Sequence, residues 1–225
     1  MNGVFRLCGA VCAALAILVF ETHWAAADNV RGSARLVDGD TLEVRGQMIR
    51  LFGIDAPESA QTCEASGRRY PCGRLAAETL AKLIAGRTVS CEGDERDRYD
   101  RLIGWCRAGR TDLNREMVRL GWAVAFRQFT DVFLEEELDA AKAARGLWRG
   151  QFERPTRFRA ARWAEAKQES PNGCPIKGNI SDRGRIYHTP WSRHYSRTRI
   201  NTRRGERWFC SEAEAIRAGW RAPIR

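Results

Sequence analysis

The stretch that decides the fold is SARLVDGDTLEVRGQMIRLFGIDAPE, residues 33–58. Residues 33–37 and 41–45 alternate apolar and polar side chains on either side of Asp38-Gly39, a dipeptide favoured in two-residue hairpin turns. After a turn at Gly46, residues 47–54 have the character of a third strand. The stretch therefore predicts three consecutive strands.

Helices and further strands follow as far as Gly150. Helical patterns cover residues 74–85, 112–120 and 131–145, and a glycine follows each of them. Two strand-like runs, 88–92 and 102–107, flank a charged turn, and a short apolar run occupies 122–126. This order predicts an α+β fold built on a small closed barrel.

Charged side chains cluster beside three turns or bends, at residues 38–41, 50–58 and 97–101. They supply two carboxylates for a hard cation, a third carboxylate to handle water, and two guanidinium groups. A cation and arginines neutralise charge on phosphoryl oxygens, while a carboxylate orients or deprotonates water. The set is what phosphodiester hydrolysis requires.

Arg50 is the most informative of these residues, because a charge in a barrel wall is costly unless it is paired. A structural ion pair with a nearby carboxylate is the alternative interpretation. Side chains alternate along a strand, so Arg50 and Asp55 need a bend to face one site, and we expect it at Gly53. Ala56 precedes Pro57 and is therefore biased to an extended conformation, which would fix the bend and present the Ala56 carbonyl.

The region from about residue 30 to residue 150 resembles the thermonuclease (staphylococcal nuclease-like) family. The resemblance rests on the hairpin 38–41, the strand 50–58, the element 97–101, and Gly146-Leu147-Trp148. It implies an OB-type five-stranded β-barrel with three helices.

The resemblance also implies a role for each site residue. Asp40 and Asp55 would bind Ca²⁺ together with the main-chain oxygen of Ala56, and Glu58 would position or activate water. Arg50 and Arg101 would clamp the scissile phosphate. The sequence departs from the family at Asp100, where a small residue or glycine is common. This extra negative charge is expected to weaken the hold of Arg101 on phosphate without abolishing activity.

Residues 1–27 have the features of a signal peptide. Arg6 precedes an apolar run at residues 7–20, and Ala25-Ala26-Ala27 offers a cleavage site. The run is shorter than the roughly 20 residues of a membrane span, although an uncleaved anchor is the alternative. We expect a secreted or periplasmic protein with no stable membrane span after cleavage.

Six cysteines remain after that segment: Cys63, Cys72, Cys91, Cys106, Cys174 and Cys210. An even number in an oxidising compartment indicates disulfides, and six cysteines allow 15 connectivities. We expect sequential pairing. Zinc binding by Cys174, His188, His194 and Cys210 is the alternative for the last pair, but the spacing fits no usual finger.

Positive charge is concentrated at the C-terminal end. Residues 28–150 contain 20 Lys/Arg and 20 Asp/Glu, whereas residues 151–225 contain 17 and 7, which is the whole net charge of +10. Such a segment suits nucleic acid, an anionic membrane surface or an acidic polysaccharide, or is simply a solvated surface. We interpret 151–173 as a basic linker or an appended helix.

Residues 174–225 predict a small basic C-terminal module with two short strands and a final helix capped by Ser211. This module resembles the C-terminal part of some nuclease-like proteins associated with succinoglycan and other exopolysaccharide biosynthesis.

These observations predict an exported, monomeric, calcium-dependent nuclease that hydrolyses DNA and RNA with little base specificity. Two alternatives remain open. One is a non-catalytic OB-type module that only binds nucleic acid. The other is an accessory protein of exopolysaccharide export or biosynthesis whose basic module binds an acidic polysaccharide.

Overall fold

The computed structural model describes residues 28–224 and confirms the predicted α+β fold. The predicted signal peptide, residues 1–27, lies outside the described residues. Within them, no helix combines the length and the apolar character that crossing a membrane would need.

The first part of the described chain contains eleven strands and three α-helices. The strands are β1 (Asp28–Gly32), β2 (Ala34–Leu36), β3 (Thr41–Val44), β4 (Gln47–Leu51), β5 (Ile54–Asp55), β6 (Cys63–Ala65), β7 (Arg68–Tyr70), β8 (Val89–Arg96), β9 (Leu102–Ala108), β10 (Thr111–Asp112) and β11 (Val124–Ala125). The helices are α1 (Cys72–Ile84), α2 (Leu113–Arg119) and α3 (Leu134–Lys142), as the three helical patterns predict, and a 3₁₀ turn follows at Gly146–Arg149.

One curled sheet organises this part, with the order β1-β8-β9-β4-β3-β2 and β10 on the edge of β9. The β4–β9 pair is parallel and the other pairs are antiparallel. The strand predicted at 47–54 is divided, because Gly53 adopts a φ of 71° between β4 and β5. β5 then pairs with β11 rather than continuing the main sheet. The expected bend at Gly53 is therefore confirmed.

The core lies inside the curl of the sheet, where the helices cover it. The exposed fraction is at most 1% for five large core side chains: Leu42, Ile49, Leu51, Leu102 and Phe133. Burying one such side chain contributes about 1.5–3 kcal/mol. Because Ile49 and Leu51 flank Arg50 on β4, this packing fixes the strand that carries the site arginine.

Three disulfides join the cysteine pairs that the sequence predicts. They are Cys63–Cys72, Cys91–Cys106 and Cys174–Cys210. Cys91 and Cys106 lie opposite each other in the β8–β9 register. The zinc alternative fails because both of its cysteines are in a disulfide.

The C-terminal part begins with α4 (Pro155–Glu169), so the segment interpreted as a linker or an appended helix is largely helical. It continues with β12 (Ile176–Ser181), β13 (Gly184–His188), β14 (Arg207–Phe209) and α5 (Glu212–Arg217), and 3₁₀ turns occur at Pro171–Gly173, Tyr195–Arg197 and Thr202–Arg204. The sheet order is β13-β12-β14. The predicted strands and the Ser211 cap are present, with the Ser211 hydroxyl accepting from the Glu214 amide at 3.1 Å. β12 is an additional, central strand.

Candidate active site

The hairpin between β2 and β3 positions Asp40, which is 1% exposed. The Asp40 amide donates to Asp38 Oδ1 at 3.1 Å, which fixes the turn. The carboxylate accepts from the Thr41 hydroxyl at 3.1 Å and from the Ala56 amide at 2.6 Å. A side chain on Gly39 would lie 2.8 Å from the Ala56 Cβ, so glycine is needed for this close approach. Asp40 thus ties the hairpin to the bend after β5.

Arg50 lies opposite Thr41 in the β3–β4 register and bridges two carboxylates. Its Nη1 donates to Asp40 Oδ1 at 2.5 Å, and its Nη2 donates to Asp55 Oδ1 at 2.8 Å. The side chain is 17% exposed. Burial works to lower the pKa of Arg50, but the charges of Asp40 and Asp55 outweigh it and raise the pKa. The ion pair considered as an alternative is therefore real, and it joins the two carboxylates proposed for the cation.

Glu58 follows Pro57 in the loop after β5 and is 7% exposed. Its amide donates to Gln61 Oε1 at 3.2 Å, and its carbonyl accepts from the Gln61 amide at 2.8 Å. Gln61 also donates to the Glu153 carbonyl at 2.6 Å. A side chain on Gly73 would collide with the Glu58 carbonyl, so the first turn of α1 packs directly on this loop. These contacts hold the Glu58 backbone in place.

Arg159 of α4 completes the cluster, and local sequence spacing did not reveal it. Its Nη1 lies 2.9 Å from Asp55 Oδ1 and 2.8 Å from Glu58 Oε1, and its Nη2 lies 3.2 Å from Asp55 Oδ2. Because one nitrogen reaches both carboxylates, the two oxygens are less than about 6 Å apart. The basic composition of residues 151–225 is the only sequence signal that pointed to such a contact.

Burial makes two of these carboxylates costly to ionise. It raises the pKa of Asp40 to about 6, although Arg50 acts in the opposite direction. It raises the pKa of Glu58 to about 8, against the lowering effect of Arg159. The ionised forms of Asp40 and Glu58 are therefore stable only if positive charge lies nearby. In this structure, Arg50 and Arg159 supply that charge.

Arg101 lies on the turn before β9 and lines the same cleft as Arg50. Its Nε donates to Asp97 Oδ2 at 2.7 Å, and the Asp97 Oδ1 accepts from the Arg101 amide at 3.0 Å. Asp100 has a φ of 61°, which explains the glycine preference, and its carboxylate approaches Arg96 at 3.5 Å. In the structure, Asp97 pairs with Arg101, and Asp100 pairs with Arg96. The expected effect of Asp100 on phosphate binding stays a prediction.

The donor set suits a hard cation. Asp40 and Asp55 converge on Arg50 and offer carboxylate oxygens, the ligand type that Ca²⁺ prefers. Among residues 28–224, no group of three or more His, Cys, Asp or Glu is arranged as a metal site. The carboxylate oxygens of Asp40 and Asp55 are chemically suited to a cation, but in this structure they accept hydrogen bonds from Arg50 and Arg159. The amide of Ala56 donates to Asp40, so the residue whose carbonyl is the expected third ligand lies next to this carboxylate.

A cleft of about 1370 Å³ opens in front of these groups. Arg50, Glu58 and Arg101 line it, together with residues of α4, β13 and the loop after β13. Its volume exceeds the roughly 300–1,000 Å³ of small-molecule sites. The cleft is large enough for a polymer segment.

Two family matches divide the chain. Residues 48–150 match the family described as "Staphylococcal nuclease homologue", and residues 155–222 match the one described as "ArfC". The first contains Arg50, Asp55, Glu58 and Arg101, and the second contains Arg159.

Curated relatives agree with the first match. The chain is 39% identical over 164 residues to the succinoglycan biosynthesis protein ExoI of Rhizobium meliloti strain 1021, which covers 70% of this chain and 83% of the relative. It is 34% identical over 190 residues to the micrococcal nuclease of Shigella flexneri, covering 76% and 100%. It is 35% identical over 141 residues to an uncharacterized endonuclease of Escherichia coli, covering 60% and 86%. The fold, the convergent site and these relatives together establish that the chain belongs to the thermonuclease-like, staphylococcal nuclease family.

Proposed function

We propose that this protein is an exported, calcium-dependent nuclease that hydrolyses phosphodiester bonds of DNA and RNA with little base specificity. One observation carries the proposal: the buried carboxylates Asp40, Asp55 and Glu58 are joined by Arg50 and Arg159 into a single cluster beside a large cleft. A cluster with both cation ligands and guanidinium groups suits the charge that builds on a phosphoryl group.

Each side chain has a distinct task in this proposal. Asp40 and Asp55, with the Ala56 carbonyl, would hold Ca²⁺, which when bound polarises a phosphoryl oxygen. Glu58 orients the attacking water and, in its ionised form, accepts the proton of that water. Because burial raises the pKa of Glu58 to about 8, this form predominates only above that pH, unless nearby positive charge lowers the pKa again. Arg50 and Arg101 bind the non-bridging oxygens of the scissile phosphate through paired N–H donors.

The cleft supports a polynucleotide substrate. Arg50 and Arg101 line it, and so do Arg183 and Arg193 of the C-terminal part. Phosphate contacts of this kind are insensitive to base identity. That property is the physical basis for expecting hydrolysis of both DNA and RNA.

Export and a monomeric state complete the proposal. Three disulfides support folding in an oxidising compartment, because such bonds do not persist in a reducing cytosol. The active-site groups all come from one chain, so a monomer suffices for catalysis.

The experiment is cleavage of plasmid DNA and of RNA by the purified protein, with Ca²⁺ and with a chelator. Degradation with Ca²⁺ and none with chelator is the expected result. Tight binding without cleavage under both conditions would instead favour the non-catalytic binding module.

The relative that is named for succinoglycan biosynthesis favours a second candidate function. In that candidate, the protein is an accessory factor of exopolysaccharide biosynthesis or export, and the basic C-terminal part binds an acidic polysaccharide. The distinguishing measurement is affinity for purified succinoglycan compared with an oligonucleotide of equal charge. Preference for the polysaccharide, with no cleavage of nucleic acid, would support this candidate.

A further inference from the structure

The helix α4 places two different side chains along the same side of the cleft. Arg159 and Trp163 are four residues apart, so they lie one above the other on one helical face. Both line the cleft. Trp163 therefore lies one helical turn from the arginine that contacts Asp55 and Glu58.

Trp163 has an aromatic partner in the cleft. Its ring centroid lies 6.1 Å from that of Trp191, and the two ring planes are inclined by 39°. Trp163 packs against the C-terminal core, whereas Trp191 lies in the loop after β13. Both rings are partly exposed and both line the cleft. They form a tryptophan pair, Trp163–Trp191, with an aromatic surface available to a ligand.

The charge around this pair is mostly positive. The C-terminal part contributes Arg159, Arg183, Arg193, Arg217 and Arg221 to the lining of the cleft. The carboxylates in the same lining are Asp38, Glu58, Asp97 and Glu212. With Arg50 and Arg101 of the barrel added, arginines clearly predominate. A basic groove with aromatic rings is the arrangement that binds single-stranded nucleic acid, because phosphates follow the charges and bases stack on the rings.

We propose that the tryptophan pair Trp163–Trp191 is a base-stacking site for one single strand, located beside the catalytic groups and supplied by the C-terminal part. The inference rests on the proposed function, because it takes the strand to be the substrate. A duplex already stacks its bases internally and offers the rings no free base face. The site therefore favours single-stranded over double-stranded substrate.

The test is binding of a fluorescent 12-nucleotide oligothymidylate and of a 12-base-pair duplex, measured by anisotropy in chelator so that no cleavage occurs. The variant Trp191→Leu keeps an apolar side chain and removes the aromatic face. We expect it to bind the single strand about 5- to 100-fold more weakly, as one lost stacking interaction predicts, with little change for the duplex. Trp191→Phe should restore most of the affinity.

Trp208→Leu is the matched control, because that ring contacts Lys177 and does not line the cleft. It should leave the affinity for the single strand unchanged. An independent measurement on the unaltered protein is quenching of tryptophan fluorescence by the oligothymidylate, which covers the case in which a variant does not fold.

The inference is overturned if Trp191→Leu leaves single-strand binding unchanged, or weakens single-strand and duplex binding equally. It is also overturned if an acidic polysaccharide displaces the strand and its own affinity falls in Trp191→Leu, because the rings would then bind sugars. Failure of the proposed function is distinguishable: the unaltered protein would bind the strand through Trp191 and yet not cleave it when Ca²⁺ is added.

Discussion

Replacing Arg159 with alanine should strengthen calcium binding. In the structure, this guanidinium contacts both oxygens of Asp55 and one oxygen of Glu58, so a cation that uses Asp55 must displace it. Hydrogen bonds to charged groups contribute about 1.5–3 kcal/mol each. We take the cost of displacing Arg159 as the free energy of one such hydrogen bond, because its side chain is already 23% exposed and regains hydration on release. The dissociation constant for Ca²⁺ should therefore fall about 10- to 100-fold.

The assay is calorimetric titration of the full-length protein with Ca²⁺ in the absence of nucleic acid. Arg157→Ala is the control, since Arg157 is an exposed arginine on the same helix, and it should leave the affinity unchanged. Arg159→Lys should have an intermediate effect, because it keeps the charge and loses the two-nitrogen fork. If Arg159→Ala leaves calcium affinity unaltered or reduces it, the guanidinium does not compete with the cation.

Three other predictions concern stability and catalysis. Burial raises the pKa of Glu58 from 4.5 to about 8, so the folded state holds this proton more tightly. Protonated Glu58 therefore stabilises the folded state fully below pH 4.5, and this contribution is lost as the pH rises through 8. Thermal melts recorded across this range should show the decrease in stability for the unaltered protein and not for Glu58→Gln. The double variant Cys91→Ser with Cys106→Ser opens a bridge of sequence separation 15 and should lower the free energy of unfolding by about 3 kcal/mol in denaturant titrations; an unchanged midpoint would contradict it. Arg101→Ala should lower kcat/KM about 10²–10³-fold, as for loss of one donor to a phosphoryl oxygen, whereas a similar loss in Arg98→Ala would mean that general charge is responsible.

Local patterns predicted most of the barrel and its site. Asp38-Gly39 marks a hairpin by its own turn preference, and Gly53 marks a bend because the φ of 71° there suits glycine. Except for Arg101, the predicted site residues lie between Asp40 and Glu58, within 18 positions of one another. Short-range chain geometry therefore brings them together. The disulfide Cys91–Cys106 followed from the pairing of two strands joined by one turn.

The contact of Arg159 could not be predicted in this way. It joins residues 104 positions apart, and its partner depends on how α4 packs against the barrel. Nothing in the spacing of a basic helix says which of its arginines meets a carboxylate.

The strand β12 escaped prediction for a related reason. Gly178 lies near the centre of β12, and a glycine weakens the sequence signal for a strand. The packing around β12 nevertheless requires glycine at this position. A side chain there would lie 2.4 Å from Phe209 and 2.7 Å from the indole nitrogen of Trp220. Tertiary packing, rather than local preference, explains this glycine.

The central claim is that this cluster hydrolyses phosphodiester bonds with Ca²⁺ and Glu58. The most direct measurement compares kcat/KM for a single-stranded oligonucleotide, at saturating Ca²⁺, between Glu58→Gln and the control Glu78→Gln, whose side chain is 44% exposed on α1. We predict a loss of at least about 10²-fold for Glu58→Gln, as for removal of a general base, and no change for Glu78→Gln. Equal rates in Glu58→Gln and the unaltered protein, or full activity in chelator, would contradict the account.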